Sequence, residues 1–285
     1  MPEDQEFNVD GLTYAARVWG PQHGQPVLAL HGWMDHADSF GRLAPLLPEC
    51  RIVALDLSGQ GLSSLRAPHA TYNIWDDLPQ LVAVLDQLGW DKPVVLGHSR
   101  GAIIGALLAA AVPDRVGALV ALDALVPEPR STSFADTLGQ FVTQSRQHMA
   151  RGPRVFADTA EYAARRHAQG ASEETATALA PRALRQTDDG FVLRGDRRLF
   201  ASSAVKLTRE DAMDVLRAIR CPVLNVWASD GIAAHRSAVA ELADWAAKTM
   251  AAYTSVTVPG DHHVHLSATG APLVAAQITR FLAQM

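Results

Sequence analysis

The chain has 285 residues, of which 48% are hydrophobic and 19% are charged, and its formal net charge at pH 7 is -5. This length and composition are typical of one large globular domain, or of a domain that carries an insertion, and they exclude a disordered chain. No block of basic residues is present that could bind the phosphates of a nucleic acid or an anionic membrane surface, so neither is expected as a partner.

Cysteine usage fits a reducing compartment, and the first residues differ from a signal peptide. Cys50 and Cys221 lie far apart and cannot form a framework of several disulfides, so both are expected to be small apolar side chains. Residues 1–6 are acidic, whereas a signal peptide begins with basic residues and continues with an apolar stretch. These features predict a cytoplasmic protein.

Short apolar runs alternate with helical patterns along the first 126 residues. Residues 12–19 are strand-like and end at the glycine- and proline-containing residues 20–24, which predicts an early antiparallel hairpin. The next apolar runs are continuous, as in strands buried on both faces, and lie at residues 26–30, 52–55, 93–96 and 116–122. Helices are predicted between them at residues 38–47, 73–88 and 101–113. This alternation predicts an α/β fold with a mostly parallel, doubly wound sheet.

The pattern changes after residue 126. Residues 127–205 contain no buried-strand run and are rich in helical segments, at residues 134–149, 155–167 and 173–180. The alternation then resumes, with strands at residues 222–227 and 254–258 and helices at residues 234–250 and 272–282. We therefore predict a core of residues 1–126 and 206–285, with a helical cap of residues 127–205 inserted between two core strands. Residues 127–205 are called the insertion below.

The residues Gly97-His98-Ser99-Arg100-Gly101 join an apolar strand pattern to an apolar helix pattern. The motif Gly-x-Ser-x-Gly at such a junction is typical of a nucleophile elbow, in which the serine occupies a strained turn with its hydroxyl above the sheet. The glycines leave room where neighbouring chain segments nearly touch. An ordinary loop does not require the flanking strand and helix, so the context favours Ser99 as a nucleophile.

Polar residues follow three of the predicted strands: His31, Ser99 and Asp123. Ligands of parallel α/β sheets bind at the carboxyl ends of the strands. We therefore expect these three residues on one rim of the sheet, where a site can form. His31 and His98 are themselves expected to serve the structure of the loop and the turn.

Four motifs resemble the α/β-hydrolase superfamily in their order and spacing, namely His31-Gly32-Trp33, the loop at residues 56–63, the motif around Ser99, and Gly260-Asp261-His262. Within this superfamily, residues 30–35, 190–199 and 260–266 look like those of the serine hydrolase-like proteins. The resemblance covers nearly the whole chain. It implies the α/β-hydrolase fold and a serine hydrolase that needs no cofactor, and it implies little about the substrate.

A serine hydroxyl becomes nucleophilic when an imidazole accepts its proton, and a carboxylate must orient that imidazole. The resemblance implies that His262 is this histidine, because it follows Gly260 after the last predicted strand, with His263 and His265 as the alternatives. The three histidines could instead bind a metal ion. Neighbouring histidines in an extended segment point in different directions, and no acidic or cysteine cluster has ligand spacing, so no metal is expected.

The acidic member of the triad is open between two residues. The family's usual carboxylate follows the strand after the insertion, where Asp230 stands one residue early and Gly231 occupies the expected position. Asp123, at the end of the strand before the insertion, stands where some members of the superfamily carry the acid instead. Asp123 is favoured, with Asp230 as the alternative.

The tetrahedral intermediate of acyl transfer needs two backbone donors for its oxyanion. The resemblance implies that these are the N–H groups of Arg100, the residue after the nucleophile, and of Trp33. The indole of Trp33 is expected to line the pocket. The side chain of Arg100 is expected to pair with Asp56 or Asp123, or to contact the substrate.

These residues predict a serine hydrolase of carboxylesterase type that cleaves a small-molecule ester or related acyl compound through an acyl-enzyme. Two other hypotheses stay open. A cofactor-independent ring-cleaving dioxygenase of the same superfamily would use His262 to deprotonate a hydroxylated heteroaromatic ring, with Asp123 as the partner of the histidine. A ligand-binding receptor would use the same fold with only residual hydrolysis, because a fold does not determine a function.

Overall fold

The computed structural model describes residues 2–285 and is built around one eight-stranded sheet. The strands of the chain are β1 (Glu3–Val9), β2 (Leu12–Trp19), β3 (Gln25–Leu30), β4 (Cys50–Leu55), β5 (Val94–His98), β6 (Ala118–Leu122), β7 (Val155–Phe156), β8 (Leu184–Thr187), β9 (Gly190–Leu193), β10 (Val223–Asp230) and β11 (Tyr253–Asp261). The large sheet has the order β1-β2-β4-β3-β5-β6-β10-β11. In this sheet, β2 is antiparallel to both of its neighbours, β1 and β4, and all other neighbouring strands are parallel. The predicted mostly parallel sheet is therefore confirmed.

Helices cover both faces of this sheet. They are α1 (Leu78–Leu88), α2 (Arg100–Ala111), α3 (Phe134–Ala150), α4 (Thr159–Ala168), α5 (Glu173–Ala183), α6 (Arg209–Ala218), α7 (Ile232–His235), α8 (Ser237–Thr249) and α9 (Gly270–Leu282). Because successive strand residues point to opposite faces, Leu28 and Leu30 pack in one buried cluster with α1, α2, α6 and α8. Val27 and Ala29 pack in the other cluster with α9 and residues 37–47. Among residues 2–285, no helix is both long and apolar enough to cross a bilayer.

The helix predicted at residues 38–47 is replaced by two short 3-10 helices, Ala37–Phe40 and Ala44–Leu46. Pro45 lies in the second of them. A proline inside a longer helix would remove a backbone hydrogen bond and clash with the preceding turn, so one continuous helix is unfavourable here.

The helix predicted at residues 73–88 begins five residues later, at Leu78. Pro79 then falls in the first turn, where a missing N–H costs nothing. Before the helix, the Asp76 carboxylate accepts the N–H of Asn73 at 2.6 Å and closes a turn instead.

The insertion is not wholly helical. Besides α3, α4 and α5 it contains a three-stranded antiparallel sheet of order β7-β9-β8. Each strand is only two to four residues long and buries one side chain, namely Phe156, Leu184 and Val192. Such short strands produce no continuous apolar run, which is why the prediction of a helical cap missed them.

Candidate active site

The candidate nucleophile lies at the sharp turn between β5 and α2. Because β5 ends at His98 and α2 begins at Arg100, Ser99 alone makes this turn, with φ 51° and ψ -118°. A positive φ in such a residue costs roughly 1–3 kcal/mol and persists only where the surroundings enforce it. Here the N–H of Ser99 donates to Leu122 O at 3.0 Å, and Ser99 O accepts the N–H of Ile103 at 3.1 Å. The strained elbow predicted from the sequence is present.

The two glycines of the elbow are required because backbone segments approach closely. An added Cβ at Gly97 would lie 2.4 Å from backbone atoms of Ala102. An added Cβ at Gly101 would lie 1.9 Å from the carbonyl oxygen of Leu30. Both distances are far inside van der Waals contact, and the obstructing atoms belong to the backbone. Any side chain at these positions would therefore displace β3 or α2.

We expect Gly101→Ala to lower the free energy of unfolding by about 3 kcal/mol or more, the upper range for overpacking a core. The matched control is Gly139→Ala in α3, where an added Cβ meets no atom within 4 Å. Alanine should stabilise that helix by about 0.5–1 kcal/mol. Urea unfolding of both variants measures the difference, and equal stability of the two would contradict the close approach at the elbow.

The structure brings Ser99, His262 and Asp123 together at the carboxyl ends of the strands. His262 Nε2 lies 3.0 Å from Ser99 Oγ, and His262 Nδ1 lies 2.6 Å from Asp123 Oδ2. Asp123 is completely buried and also accepts the N–H groups of Ala228 at 3.0 Å and Ile232 at 2.8 Å. A carboxylate accepts the Nδ1 proton of the histidine, which leaves Nε2 free to accept the hydroxyl proton of the serine.

The alternative acid, Asp230, does not reach His262. Its side chain is 73% exposed and lies 2.9 Å from Nε2 of His235. The next position, where the family's usual carboxylate stands, has no room for one, because an added Cβ at Gly231 would lie 2.2 Å from Asp123 Oδ1. A side chain at position 231 and the Asp123 carboxylate therefore exclude each other. This sequence has the carboxylate at position 123 and a glycine at position 231.

The backbone N–H groups of Trp33 and Arg100 are the predicted donors to an oxyanion. Arg100 is the first residue of α2, and the N–H groups of a first helical turn have no partner within the helix. Within residues 2–285, neither N–H group donates to another backbone group. The N-terminus of α2 is also the positive end of the helix dipole, which favours negative charge beside it.

His31 and His98 have structural partners, as expected. His31 Nδ1 donates to Gly32 O at 2.7 Å, and His31 Nε2 accepts the N–H of Leu57 at 2.9 Å. His98 Nε2 donates to the carbonyl oxygen of His262 at 2.8 Å and so supports the backbone of the candidate triad histidine. Burial lowers the pKa of both rings, which keeps them neutral at pH 7.

The two alternatives to His262 lie against other groups. His263 Nε2 lies 3.1 Å from Asp35 Oδ2, and His265 Nε2 lies 2.9 Å from Ser39 Oγ. Burial lowers the pKa of His265 to about 3. Of the three neighbouring histidines, the structure places His262 against the serine and the other two within the protein interior.

Comparison with known proteins agrees with this geometry, since a family model described as the alpha/beta hydrolase fold matches residues 25–269. The chain belongs to the α/β-hydrolase family. It is 33% identical to a serine hydrolase-like protein of Danio rerio, over 93% of this chain and 84% of that protein. It is 31% identical to serine hydrolase-like protein 2 of Homo sapiens, over 89% and 86% of the two chains. A solved structure of a hypothetical protein from Pseudomonas aeruginosa PAO1 is 36% identical, with a TM-score of 0.92 over 99% of both chains.

This α/β-hydrolase uses the side chain of Arg100 differently from our expectation. A guanidinium nitrogen of Arg100 donates to the carbonyl oxygens of Tyr72 at 3.0 Å and Asn73 at 3.3 Å. The two predicted partners, Asp56 and Asp123, are instead bonded to an arginine of the insertion and to the candidate triad histidine. The predicted pairing with a carboxylate is therefore wrong. The side chain ties α2 to the loop that precedes α1.

The indole of Trp33 joins the core of the hydrolase to the insertion. Its Nε1 donates to Leu199 O at 2.9 Å, and its ring meets that of Phe200 edge to face at 5.2 Å. Trp33 is 46% exposed and Phe200 37% exposed. Phe200 also lies 5.8 Å from the ring of His148 in α3. Trp33 therefore combines an exposed aromatic side chain with the backbone N–H that is the candidate oxyanion donor.

Proposed function

We propose that the protein is a serine hydrolase of carboxylesterase type that acts on a small acyl compound. The observation that carries this proposal is the continuous chain of hydrogen bonds from Ser99 Oγ through His262 to Asp123, at 3.0 and 2.6 Å. A nucleophile, a general base and an orienting carboxylate in this arrangement are what acyl transfer requires. The names of the serine hydrolase-like relatives are consistent with this class of reaction.

In the first half-reaction, Ser99 Oγ attacks the carbonyl carbon of the ester while His262 Nε2 takes the hydroxyl proton. Asp123 stabilises the imidazolium that forms. The carbonyl oxygen becomes an oxyanion bound by the N–H groups of Trp33 and Arg100, and one such donor typically contributes about 3–4 kcal/mol. His262 then passes its proton to the leaving alcohol as the bond between the acyl carbon and that alcohol breaks.

In the second half-reaction, a water molecule gives a proton to His262 Nε2 and attacks the acyl-enzyme. Collapse of the second tetrahedral intermediate returns the proton to Ser99 Oγ and releases the carboxylic acid. The side chain of His262 is 31% exposed, which gives water access to it. Every step uses groups of the chain and water, so the proposed mechanism requires neither a metal nor a cofactor.

The insertion is proposed to act as a cap that, with the core of residues 1–126 and 206–285, encloses the acyl part of the substrate. The support for this is the exposed pair of Trp33 and Phe200, one ring from the core and one from the insertion. Exposed aromatic rings beside an oxyanion donor favour an apolar acyl group, because burying apolar surface stabilises the complex.

A fluorophosphonate probe tests the proposal, because it reacts with an activated serine hydroxyl and not with an ordinary one. We expect the wild-type protein to be labelled and Ser99→Ala not to be labelled. Ser237→Ala, which replaces an exposed serine of α8, is the matched control and should be labelled like the wild type. Turnover of p-nitrophenyl esters of increasing acyl length then measures the chain preference. Folded wild-type protein that is not labelled, or a labelled Ser99→Ala variant, would contradict the proposal.

The two other hypotheses predict different results with the same proteins. The dioxygenase would consume oxygen with a 3-hydroxy-4-quinolone and would use His262 and Asp123 directly on that substrate. The receptor would bind a ligand tightly while ester turnover stayed at the solvent background. Of the three hypotheses, hydrolysis is the one that requires the contact between Ser99 Oγ and His262 Nε2, and this is why we propose it.

A further inference from the structure

Three buried side chains that the proposed reaction does not use meet beside the candidate triad. They are Asp35 in the loop after β3, His98 at the end of β5, and His263 after β11. Asp35 Oδ2 lies 3.1 Å from His263 Nε2 and 3.8 Å from His98 Nδ1. One ligand atom of each residue lies within 4.8 Å of the other two. The exposed fractions are 2% for Asp35, 0% for His98 and 9% for His263.

The ring of His98 presents a lone pair to this cluster. Because its Nε2 faces the carbonyl oxygen of His262 at 2.8 Å, the proton of the neutral ring is on Nε2 and Nδ1 is an acceptor. Within residues 2–285, Nδ1 has no hydrogen-bond partner, and it faces an oxygen of the Asp35 carboxylate. Two buried acceptors that face each other repel unless a positive charge lies between them. The lone pair of His98 Nδ1 is therefore available to a cation held between these two acceptors.

Two distances within the cluster are within a few tenths of an ångström of those in a zinc site. In a tetrahedral zinc site with bonds of about 2.0–2.2 Å, two ligand atoms lie roughly 3.3–3.6 Å apart. The separations of 3.1 and 3.8 Å from Asp35 Oδ2 lie on either side of that range. Two imidazoles and one carboxylate are also a ligand set that zinc uses in proteins, with the fourth position left to water.

The surroundings of the cluster hold two of its members in the orientation that a metal ion requires. A ligating histidine usually donates its second ring N–H to a carbonyl or carboxylate, and His98 does so to the carbonyl of His262. The second oxygen of Asp35 is held by Arg166 at 2.8 Å. An added Cβ at Gly32 would lie 3.0 Å from both Asp35 Oδ2 and His98 Nδ1, so the glycine keeps the space beside them open.

We propose that Asp35, His98 and His263 form an inhibitory binding site for a divalent transition-metal ion, with Zn²⁺ as the ion that this ligand set suits. Imidazole nitrogens favour such ions over Mg²⁺ and Ca²⁺, which prefer oxygen ligands. On binding, His263 moves its proton from Nε2 to Nδ1 and Nε2 coordinates the ion. The carboxylate and His98 Nδ1 coordinate without losing a proton.

Two of the three ligands are connected to His262, the candidate general base, and this is why binding of the ion is inhibitory. His98 Nε2 holds the carbonyl oxygen of His262, and His263 is the next residue of the chain. Drawing both rings towards one ion shifts the backbone of His262 and with it the hydrogen bond of 3.0 Å to Ser99 Oγ. This inhibition rests on the proposed function, whereas the binding of the ion does not.

Isothermal titration of the full-length protein with ZnCl₂ tests the binding. We expect one site in the wild type and a loss of affinity of more than about 10-fold in both Asp35→Asn and His263→Gln, since even partners behind the ligands contribute 10–100-fold. His235→Gln is the matched control, because the exposed pair of Asp230 and His235 offers the same ligand types at 2.9 Å. This variant should bind zinc like the wild type.

The site would be overturned by folded wild-type protein that binds no zinc, by unchanged affinity in both ligand variants, or by loss of binding in His235→Gln. His262→Gln should also retain binding, and its failure to bind would move the ion to the triad. Asp35→Asn also breaks the buried ion pair with Arg166. If the Asp35→Asn variant does not fold, the test depends on His263→Gln, which replaces the more accessible ligand.

Fluorophosphonate labelling with and without zinc tests the inhibition. Zinc should slow the labelling of Ser99 in the wild type by at least about 10-fold, because a positioned general base contributes about 10²–10⁴-fold and a displaced one loses part of that effect. In the His263→Gln variant, the labelling rate should be the same with and without zinc. Wild-type labelling that is insensitive to saturating zinc would overturn the inhibitory role. Metal-free protein that never reacts with the probe would contradict the proposed function and leave the titration result intact.

Discussion

Asp123→Asn is expected to lower kcat/KM for ester hydrolysis by about 10⁴-fold, the effect of this replacement in a serine protease triad. An amide at the position of Asp123 Oδ2 would face the Nδ1 proton of His262 and force the tautomer that carries its proton on Nε2. That tautomer cannot accept the proton of Ser99. Asp230→Asn is the matched control and should leave kcat/KM unchanged, because that exposed carboxylate contacts His235 and not the triad.

Thermal unfolding of the two variants separates catalysis from stability. Asp123 also accepts the N–H of Ile232, so Asp123→Asn loses a buried hydrogen bond and about 1–3 kcal/mol of stability. A loss of that size leaves the protein folded and does not account for a 10⁴-fold effect on rate. Full activity in Asp123→Asn, or an equal loss in Asp230→Asn, would reverse our choice of the acid.

Arg182→Ala is expected to lower the free energy of unfolding by about 3–5 kcal/mol, as is typical when one partner of a buried ion pair is removed. Arg182 lies in α5 of the insertion, and its Nε donates to Asp56 Oδ2 at 3.1 Å. Asp56 is completely buried and also accepts the N–H groups of Ala37 and Leu62, each at 2.7 Å. Without the guanidinium, this carboxylate keeps its hydrogen bonds to the backbone but has lost the opposite charge.

Arg185→Ala is the matched control for this prediction, because Arg185 lies three residues away and is exposed. Its replacement should change the free energy of unfolding by no more than about 0.5 kcal/mol. Urea unfolding at pH 7 measures both variants. Equal effects of the two replacements would show that the ion pair between Arg182 and Asp56 does not join the insertion to the core.

The central sheet was predictable because most of its strands are buried on both faces. A strand between two helical layers must be apolar at almost every position, and β3, β4 and β5 were recognised by such continuous runs. The ends of the helices depended on single residues: Pro45 and Pro79 moved the boundaries of two predicted helices. The strands of the insertion bury one side chain each, and no periodicity indicates so short a strand.

The site was predictable to the extent that its residues lie in local motifs. Ser99 was recognised by the glycines and the strand and helix on either side of it, and the structure shows that those glycines avoid clashes with neighbouring backbone. His262 was recognised by its place after Gly260. The partner of the Arg100 side chain had no local indication, because it is a pair of backbone carbonyls in the loop before α1.

The sequence by itself determined the sheet, the elbow and the two candidate residues that follow from motifs, because burial of strands and strain in a turn are encoded within a few neighbouring residues. The tertiary structure alone decided that Asp123 rather than Asp230 meets His262, and that Asp35, His98 and His263 form one cluster. These contacts join segments that are distant in the chain. Which side chains meet there depends on how the strands are ordered and on which residue, such as Gly231, leaves room for a partner.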